Sequence, residues 1–339
     1  MSSNKNIKII IYNQVNILIP WNGLGRMHDK YVIADDSLYI LGGRNTFGYF
    51  LGDYAGHKNY DRDVLVYNTG SKASSIYQIK DYYKKITSQK CCSVFHCNES
   101  LGEKNSVKKA EQELKNRYES LENKYDKFLA ENYDYKANTY ETNKINLLSN
   151  PTSLYAKQPT VYYGLMYLAK NAKKEVKIHT PYIICNDYMY NELKNIKVPT
   201  TIMTNSAENN GNIFGAVDYL NHKKDIINTG VTIKEYEGGI SYHGKSMTID
   251  DDIAIVGSFN MDMRSAYIDT ELMLVINSKD INKQLKASME EYEKKAATVK
   301  NETEYSHIPE GMKMKELSDK KKNIKAWFGW AMNGLRFLF

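Results

Sequence analysis

The sequence predicts an α/β protein made of two pseudo-symmetric halves, with mixed β-sheets flanked by helices and an active site at the interface between the halves. Three observations predict this fold class. Apolar strand-like runs alternate with helical stretches after Pro151, a pattern typical of layered α/β domains. A short polar motif near the start of the chain recurs much later with the same internal spacing. The 339 residues, 42% of them hydrophobic, can fill a sizeable core.

The first half is predicted to cover residues 1–88. Apolar runs at 7–12 and 31–41 are predicted to be strands, the second of them broken by a polar turn. A further strand is predicted at 62–67, and a helix at 73–87. Residues 89–150 follow as a charged helical insertion or linker, because the sequence becomes rich in Ala, Glu, Lys and Leu and lacks strand-like runs.

The second half is predicted to cover residues 151–299, and a basic, aromatic tail to cover 300–339. Helices are predicted at 160–173, 213–228 and 280–298, and strands at 175–184, 199–204, 231–236, 244–249, 253–257 and 271–276. Strands that alternate with helices in this way favour a mostly parallel or mixed sheet.

The recurring motif is the observation that points to chemistry. In each copy Lys follows His by two residues, Asp follows by seven and Asn follows by seventeen. The first copy contains His28, Lys30, Asp35 and Asn45, and the second contains His243, Lys245, Asp250 and Asn260. The similarity extends outward, since residues 7–13 match 231–237, and 61–64 match 269–272.

The spacing within the motif predicts where its side chains point. Residues two apart on a strand share a face, so each His projects together with its Lys. Asp35 and Asp250 have the opposite parity and lie where acidic residues mark a turn, so we expect them to fix a hairpin. The returning strand then brings Asn45 or Asn260 beside its own His.

Two such half-sites facing each other would suit a phosphodiester. Its cleavage needs a nucleophile, an acid for the leaving alkoxide and fixed positive charge for the phosphoryl oxygens. A neutral imidazole can be the nucleophile near pH 7, and Lys30 and Lys245 supply the charge. Each His also needs an acid on its second nitrogen, for which the repeat suggests Asp63 and Glu271. The remaining histidines have no repeat partner and are predicted to be surface or packing residues: His57, His96, His179, His222 and His307.

No cofactor or metal site is predicted. Three cysteines lie around His96, but the spacing of Cys91, Cys92 and Cys97 lacks the usual paired zinc knuckle. The cysteines suggest no disulfide framework, so a reducing, cytoplasmic setting is expected. The start of the chain shows no secretory signal, and no run reaches the ~18 apolar residues that span a bilayer.

The tail and the net charge point to an anionic partner. Lys and Arg outnumber Asp and Glu by 46 to 40. Residues 320–339 contain five basic residues, no acidic one and several aromatic residues, which suits the headgroup boundary of an anionic membrane. The alternative is a helix that closes over the core.

The two motifs resemble the H-x-K-x4-D-x6-G-[SG]-x-N signature of the phospholipase D superfamily. The runs Gly42-Gly43-Arg44-Asn45 and Gly257-Ser258-Phe259-Asn260 are similar to its bacterial cardiolipin synthase branch. This resemblance implies that His28 attacks phosphorus and that His243 protonates the departing glycerol oxygen. It also implies that Lys30, Asn45, Lys245 and Asn260 hold the phosphoryl oxygens.

The resemblance implies a phosphatidyltransferase that acts on an anionic, phosphatidylglycerol-like phospholipid at the inner face of the cell membrane, with no nucleic-acid partner. Two alternatives stay open, a nucleic-acid phosphodiesterase of the same superfamily and a non-catalytic membrane-binding remnant. The second copy of the motif is preceded by two strands and a helix that the first copy lacks. We therefore hypothesise an amino-terminally shortened first half whose sheet exposes an edge or an apolar face. The sequence indicates no oligomeric state.

Overall fold

A computed structural model describes residues 1–15, 17–18, 23–51, 58–126, 133–328 and 331–338. The strands are β1 (Ile9–Tyr12), β2 (Tyr31–Ala34), β3 (Leu38–Gly42), β4 (Asn59–Tyr60), β5 (Asp63–Tyr67), β6 (Cys92–Phe95), β7 (Lys144–Ser149), β8 (Val176–His179), β9 (Ile183–Ile184), β10 (Thr200–Asn205), β11 (Thr232–Tyr236), β12 (Ser241–Tyr242), β13 (Ser246–Ile249), β14 (Ile253–Gly257), β15 (Met261–Asp262), β16 (Leu272–Asn277), β17 (Ala296–Val299) and β18 (Tyr305–His307). The α-helices are α1 (Ser75–Thr87), α2 (Asn105–Lys124), α3 (Thr160–Lys170), α4 (Asp187–Lys194), α5 (Ile213–Ile227), α6 (Met263–Tyr267), α7 (Lys279–Glu293) and α8 (Asp319–Phe328).

Among these described residues, nine strands form one large mixed sheet in the order β18-β17-β11-β10-β8-β13-β14-β16-β7. Strands β8, β10 and β11 are parallel, and the outer pairs are antiparallel. Of the other described strands, β2-β3-β5 and β1-β6 form two smaller sheets, while β4 pairs with β12 and β9 with β15. The predicted α/β class with mixed sheets and flanking helices is therefore confirmed.

Two apolar clusters hold these layers together. The larger packs α3, α4 and α5 against one face of the large sheet. The second joins the halves, because Tyr39 and Leu41 of β3 share it with Val256 of β14 and with side chains from α1 and α7. Helix α1 begins after Ser74, whose side chain accepts a hydrogen bond from the Ile76 N–H, as expected of an N-cap.

The two motif aspartates lie at matching hairpin turns. Asp35 follows β2 and Asp250 follows β13, and both adopt positive φ angles of 50° and 51°. The Asp250 carboxylate accepts hydrogen bonds from the backbone N–H groups of Lys173, Lys174 and Glu175. Asp is one of the few residues that tolerates this backbone region. Both aspartates thus have the turn position that their parity predicted.

The predicted helical insertion at 89–150 is shorter than expected. Within residues 89–126 and 133–150 the α-helix is α2, and strands lie on both sides of it. Strand β6 pairs with β1, and β7 pairs with β16 at the edge of the large sheet. The helix predicted at 280–298 is also too long, because the chain leaves α7 to form β17. These short strands were missed since their pairing partners are distant in sequence.

The first half-sheet has an exposed apolar face, as the unequal lengths of the two copies predicted. Val32 is 63% exposed, whereas Met247, at the same position of the second copy, is 2% exposed. Ile40 and Ile255 show the same contrast, at 37% and 0%. In the second half these positions lie beneath α3, and between β11 and β13 the large sheet also contains β8 and β10.

The tail packs on the second half. Helix α8 and a 3-10 turn at Ala331–Leu338 contact α5 and α6, respectively. In the part of the chain that the structure describes, no helix combines the length and the apolar character needed to cross a membrane.

Candidate active site

His28 lies against the second half of the chain. The residue before it, Met27, forms a parallel bridge with Thr270. This bridge brings the Nδ1 atom of His28 to 2.9 Å from Oε1 of Glu271. The second carboxylate oxygen of Glu271 accepts a 2.5 Å hydrogen bond from the Ser258 hydroxyl. A buried, anchored carboxylate therefore orients the His28 ring, as predicted for Glu271.

His243 shows the reciprocal arrangement. Strand β12, which ends just before it, pairs in parallel with β4 of the first half, and the His243 N–H donates to the Tyr60 carbonyl at 2.6 Å. Its Nδ1 atom then lies 2.7 Å from Oδ2 of Asp61. Each histidine thus takes its acid from the opposite half. Neither ring is oriented by an acid unless the two halves are assembled.

The prediction of Asp63 as the acid for His243 was wrong. Asp63 is paired with Gly42 in the sheet and binds the Arg44 side chain at 2.5 Å. Gly257, the equivalent of Gly42, is paired with Met273, so the residue equivalent to Glu271 is Asp61. Comparison of the two copies in sequence had aligned Asp63 with Glu271, two residues too late. The reason is that the loop between Asn45 and the following strand is longer than the matching loop in the second copy. A shift of two leaves the same face of the strand available, so parity could not separate the two aspartates.

The two lysines lie close to the histidines. Nζ of Lys30 donates to the His28 carbonyl at 2.6 Å. Nζ of Lys245 lies 2.7 Å from Nδ1 of His243 and donates to its carbonyl at 2.5 Å. Gly43 marks where the halves meet, since a Cβ there would lie 2.5 Å from the Asp61 carboxylate and 3.0 Å from Cδ of Lys245. Only glycine fits at this contact between the two copies.

The two asparagines are less alike than the motif predicts. Asn260 is 4% exposed and its amide donates to the Tyr182 hydroxyl at 3.1 Å. Its amide oxygen is buried and has no hydrogen-bond partner within the described ranges. Asn45 is half-buried in the turn that follows β3.

Burial and nearby ammonium groups favour neutral imidazoles. Burial, followed by Lys30 and Lys245, holds the pKa of His28 well below its usual value. Burial and Lys245 lower the pKa of His243 to about 3. Burial also lowers the pKa of Lys30 and of Lys245 to about 8, against the opposing effect of the neighbouring carboxylates. At neutral pH the site therefore holds two neutral rings beside two ammonium groups.

The carboxyl groups near the two rings differ in the direction in which their pKa is shifted. Burial raises the pKa of Glu271 to about 7. Burial also raises the pKa of Asp29 to about 7, although Tyr82 and Thr270 donate hydrogen bonds to it. At Asp61 burial acts in the same direction, but Lys245 and His243 outweigh it and lower the pKa. His28 therefore faces several carboxylates, and His243 faces one strongly ionised carboxylate.

Four site residues were not predicted from the sequence. They are Asp61, Asp29, Tyr182 and Phe50, whose ring packs edge-on against His243 with centroids 4.9 Å apart. Asp61 could have been found, since it stands two residues before Asp63 on the same face. Asp29 carries no repeat signal, because Gly244 takes its place in the second copy, and Tyr182 and Phe50 lie outside the repeated motif.

Three of the histidines without a repeat partner lie in helices or strands outside the site. His179 is 1% exposed and packs against Tyr242 and Glu293. His222 pairs with Asp225 on α5, and His307 is exposed on β18. His96 is also exposed, whereas His57 lies outside the described residues.

The chain is similar to lipid-synthesis proteins and to a Helicobacter protein. Residues 165–292 match the family model described as "Cardiolipin synthase, PLD-like domain". An uncharacterized protein of Helicobacter pylori strain 26695 is 25% identical over 332 residues, covering 86% of this chain and 64% of that protein. Cardiolipin synthase 1 of Staphylococcus epidermidis strain ATCC 12228 is 30% identical over 159 residues, covering 46% of this chain and 32% of that protein. The chain thus spans less than two thirds of the length of these relatives.

The fold is shared with a solved structure. The crystal structure of phosphatidylserine synthase from Haemophilus influenzae Rd KW20 superposes with a TM-score of 0.61, at 15% identity, over 93% of this chain and 72% of that chain. This likeness concerns the fold alone. The family model matched over residues 165–292, the similarity to cardiolipin synthase 1 and the duplicated motif support the phospholipase D superfamily, in its cardiolipin synthase-like branch.

Proposed function

We propose that the protein transfers a phosphatidyl group between alcohols through a phosphohistidine intermediate, most simply in cardiolipin synthesis. One observation carries this proposal. The pairs His28–Glu271 and His243–Asp61 cross between the halves and gather two imidazoles and two ammonium groups at one interface. Such a set provides a nucleophile, a proton donor and positive charge for one phosphodiester.

In the first step Nε2 of His28 attacks phosphorus, forming the P–N bond while the bond to the glycerol oxygen breaks. Glu271 on Nδ1 stabilises the positive charge that develops on the ring. His243 gives its proton to the leaving oxygen. Lys30 and Lys245 hold the equatorial oxygens, and rotation of the Asn260 amide would present an N–H to the same oxygens. The order of the two histidines follows the family resemblance.

In the second step His243 removes a proton from the incoming alcohol. The alkoxide attacks phosphorus, the P–N bond breaks, and His28 returns to its neutral form. Water in place of the alcohol gives hydrolysis instead of transfer. His243 thus carries one proton out and one proton back in each cycle, which requires that its pKa respond to the bound substrate.

The position of Lys245 explains how this response arises. Without substrate its ammonium group lies against the His243 ring and lowers the pKa of that ring. A phosphodiester anion between the halves would draw the ammonium away and add negative charge. Both changes favour the imidazolium form, so Asp61 and the substrate together prepare His243 to act as the acid.

An anionic glycerophospholipid is the proposed substrate class. The match to the cardiolipin synthase model and the partial similarity to a staphylococcal cardiolipin synthase support it. We further propose that the protein works peripherally at the inner face of the cell membrane, with the basic, aromatic tail as its contact. The alternative substrate is nucleic acid, which the same chemistry could cleave.

The test is incubation of the purified protein with labelled phosphatidylglycerol and, separately, with labelled single-stranded DNA. Lipid product that disappears in His28→Ala and His243→Ala supports the proposal. The control is His222→Ala, which removes a histidine that is paired with Asp225 outside the site. Cleaved DNA would establish the nuclease alternative, and no product from either substrate would favour a non-catalytic membrane-binding protein. Full activity of either site variant would refute the assigned chemistry.

A further inference from the structure

Helix α2 lies on the surface of the protein, and none of its own 20 residues, all of them described, is buried. It contacts the 3-10 turn Glu99–Glu103 that leads into it, and it contributes no side chain to the two apolar clusters described above. Most helical stability in proteins comes from the packing of an apolar face. An apolar face on α2 would therefore gain from a partner.

One face of α2 is indeed apolar. At the 100° per residue of an α-helix, five apolar side chains lie within about 40° of the direction of Leu114. We call these side chains the α2 stripe, which consists of Val107, Ala110, Leu114, Tyr118 and Leu121. Leu114 is 67% exposed and Tyr118 is 58% exposed. Large exposed apolar side chains that follow one another along a helix mark an interaction surface.

The α2 stripe has the same spacing in both directions from its centre. Val107 and Leu121 lie seven residues from Leu114, and Ala110 and Tyr118 lie four residues from it. Two antiparallel copies of α2, with a twofold axis beside Leu114, would therefore place Val107 against Leu121 and Ala110 against Tyr118 of the other copy. A small side chain opposite a large one allows close packing, and the twofold axis makes each contact twice.

The charges beside the α2 stripe complement each other in the same arrangement. In an antiparallel pair each flank of one helix meets the same flank of the other, at positions nearly equally far from the centre in opposite directions. Lys104, Lys108 and Glu122 share one flank and are exposed. Glu122 of each copy would thus lie between Lys104 and Lys108 of the other. On the second flank Arg117 would lie beside Glu113 of the other copy.

A parallel pair would lack this complementarity. Opposite flanks would then meet, which would place Glu111 beside Glu113 and Lys115 beside Arg117 and offset the attractions that remain. The antiparallel pair brings like charges together only beside the axis, at Glu113 and Lys115, each next to an opposite charge. A surface that complements itself about a twofold axis is what a symmetric contact between identical chains requires. The pattern on α2 therefore fits a second copy of this chain.

We propose that α2 is a self-association surface, on which a second copy of this chain pairs antiparallel with Leu114 at the twofold axis. This pairing goes beyond the proposed phosphatidyl transfer and does not depend on it. Two helices about 30 Å long form a smaller contact than that of permanent dimers. We therefore expect a reversible dimer with a dissociation constant of about 1–100 µM.

Sedimentation equilibrium of the full chain across that concentration range tests the pairing. Leu114→Lys and Leu114→Glu should each weaken dimerisation about tenfold or more, because the new charge meets its own copy across the axis. An equimolar mixture of the two variants should regain an affinity within about threefold of the parent value, since opposite charges then meet. Such recovery also shows that both variants are folded. The control is Asn116→Lys on the opposite, exposed face of α2, which should leave the affinity unchanged.

Glu122→Lys tests the direction of the pairing. It should weaken dimerisation about threefold or more, because the new ammonium group faces Lys104 and Lys108 of the other copy. Adding Lys108→Glu to the same chain should reverse most of this loss, since the two positions are far apart in a parallel pair and adjacent in an antiparallel one.

Several results would overturn the self-association surface. They are a parent protein that stays monomeric throughout the range, unchanged dimerisation of the Leu114 variants, no recovery in their mixture, or an equal loss in Asn116→Lys. A double variant of Glu122 and Lys108 that dimerises no better than Glu122→Lys would overturn the antiparallel arrangement. Lipid and DNA cleavage are measured separately, so each of these results leaves the proposed function to its own test.

Discussion

Replacing Asp61 by Asn should strongly impair the chemical step while leaving the fold intact. The Asp61 carboxylate is completely buried and lies 2.7 Å from Nδ1 of His243. Asn has nearly the same shape, but it cannot stabilise an imidazolium and can present an N–H that favours the wrong ring tautomer. A positioned acid or base contributes about 10²–10⁴-fold to a rate.

The lower part of that range is expected here. Lys245 touches the same ring and already disfavours its charged form, so part of the stabilisation by Asp61 is offset in the free protein. We expect kcat for phosphatidyl transfer to fall about 10²–10³-fold, equivalent to roughly 3–4 kcal/mol of transition-state free energy. KM should change little, because Asp61 lies behind the ring.

Asp63→Asn is the matched control. Asp63 stands two residues later and binds Arg44, in a pair whose side chains are 22% and 34% exposed. Loss of such a partly exposed pair costs about 1 kcal/mol of folding free energy or less, and kcat should stay within about threefold. Steady-state kinetics of both variants decide the matter. Equal losses in the two variants, or an unaffected kcat in Asp61→Asn, would refute the crossed assignment of the acids.

Three further predictions follow from the same geometry. Activity should rise through about pH 7 as Glu271 ionises and fall above about pH 8 as Lys30 and Lys245 lose their protons; a kcat/KM profile that stays flat to pH 10 would contradict this. Val32→Lys should change the free energy of unfolding by about 0.5 kcal/mol or less, whereas Met247→Lys should cost about 4 kcal/mol or more, because only Met247 is buried; urea unfolding that gives equal losses would exclude the exposed face. Binding of tungstate should raise the pKa of His243, as an NMR titration would show, and an unchanged value would remove the proposed role of Lys245.

The active site could be predicted from the sequence to the extent that it repeats. The spacing of His, Lys and Asn predicted two half-sites, and Glu271, the acid predicted for His28, lies against the ring of that histidine. The spacing alone did not single out Asp61, because loops of unequal length separate the motif from its acid in the two copies, and Asp61 and Asp63 lie on the same face of the strand. Asp29 and Phe50 were missed for a related reason, since each occurs in one copy only and neither has a repeat signal.

The fold was predictable where hydrophobic periodicity is local. Helices α1, α3 and α5 and the motif hairpins lie close to their expected positions. Strands β6 and β7 were absorbed into a predicted helical insertion, because their stability comes from partners far away in the sequence. The packing of the tail was equally invisible, since composition does not reveal that Lys321 and Arg336 bind the body of the protein.

A crystal structure with tungstate bound would test most directly whether the two half-sites form one phosphate pocket. We predict a single oxyanion between His28 and His243, with Nε2 of each ring within about 3 Å of it and both lysine ammonium groups in contact. Two separate oxyanions, one in each half, or an oxyanion that contacts only one of the rings, would contradict the account.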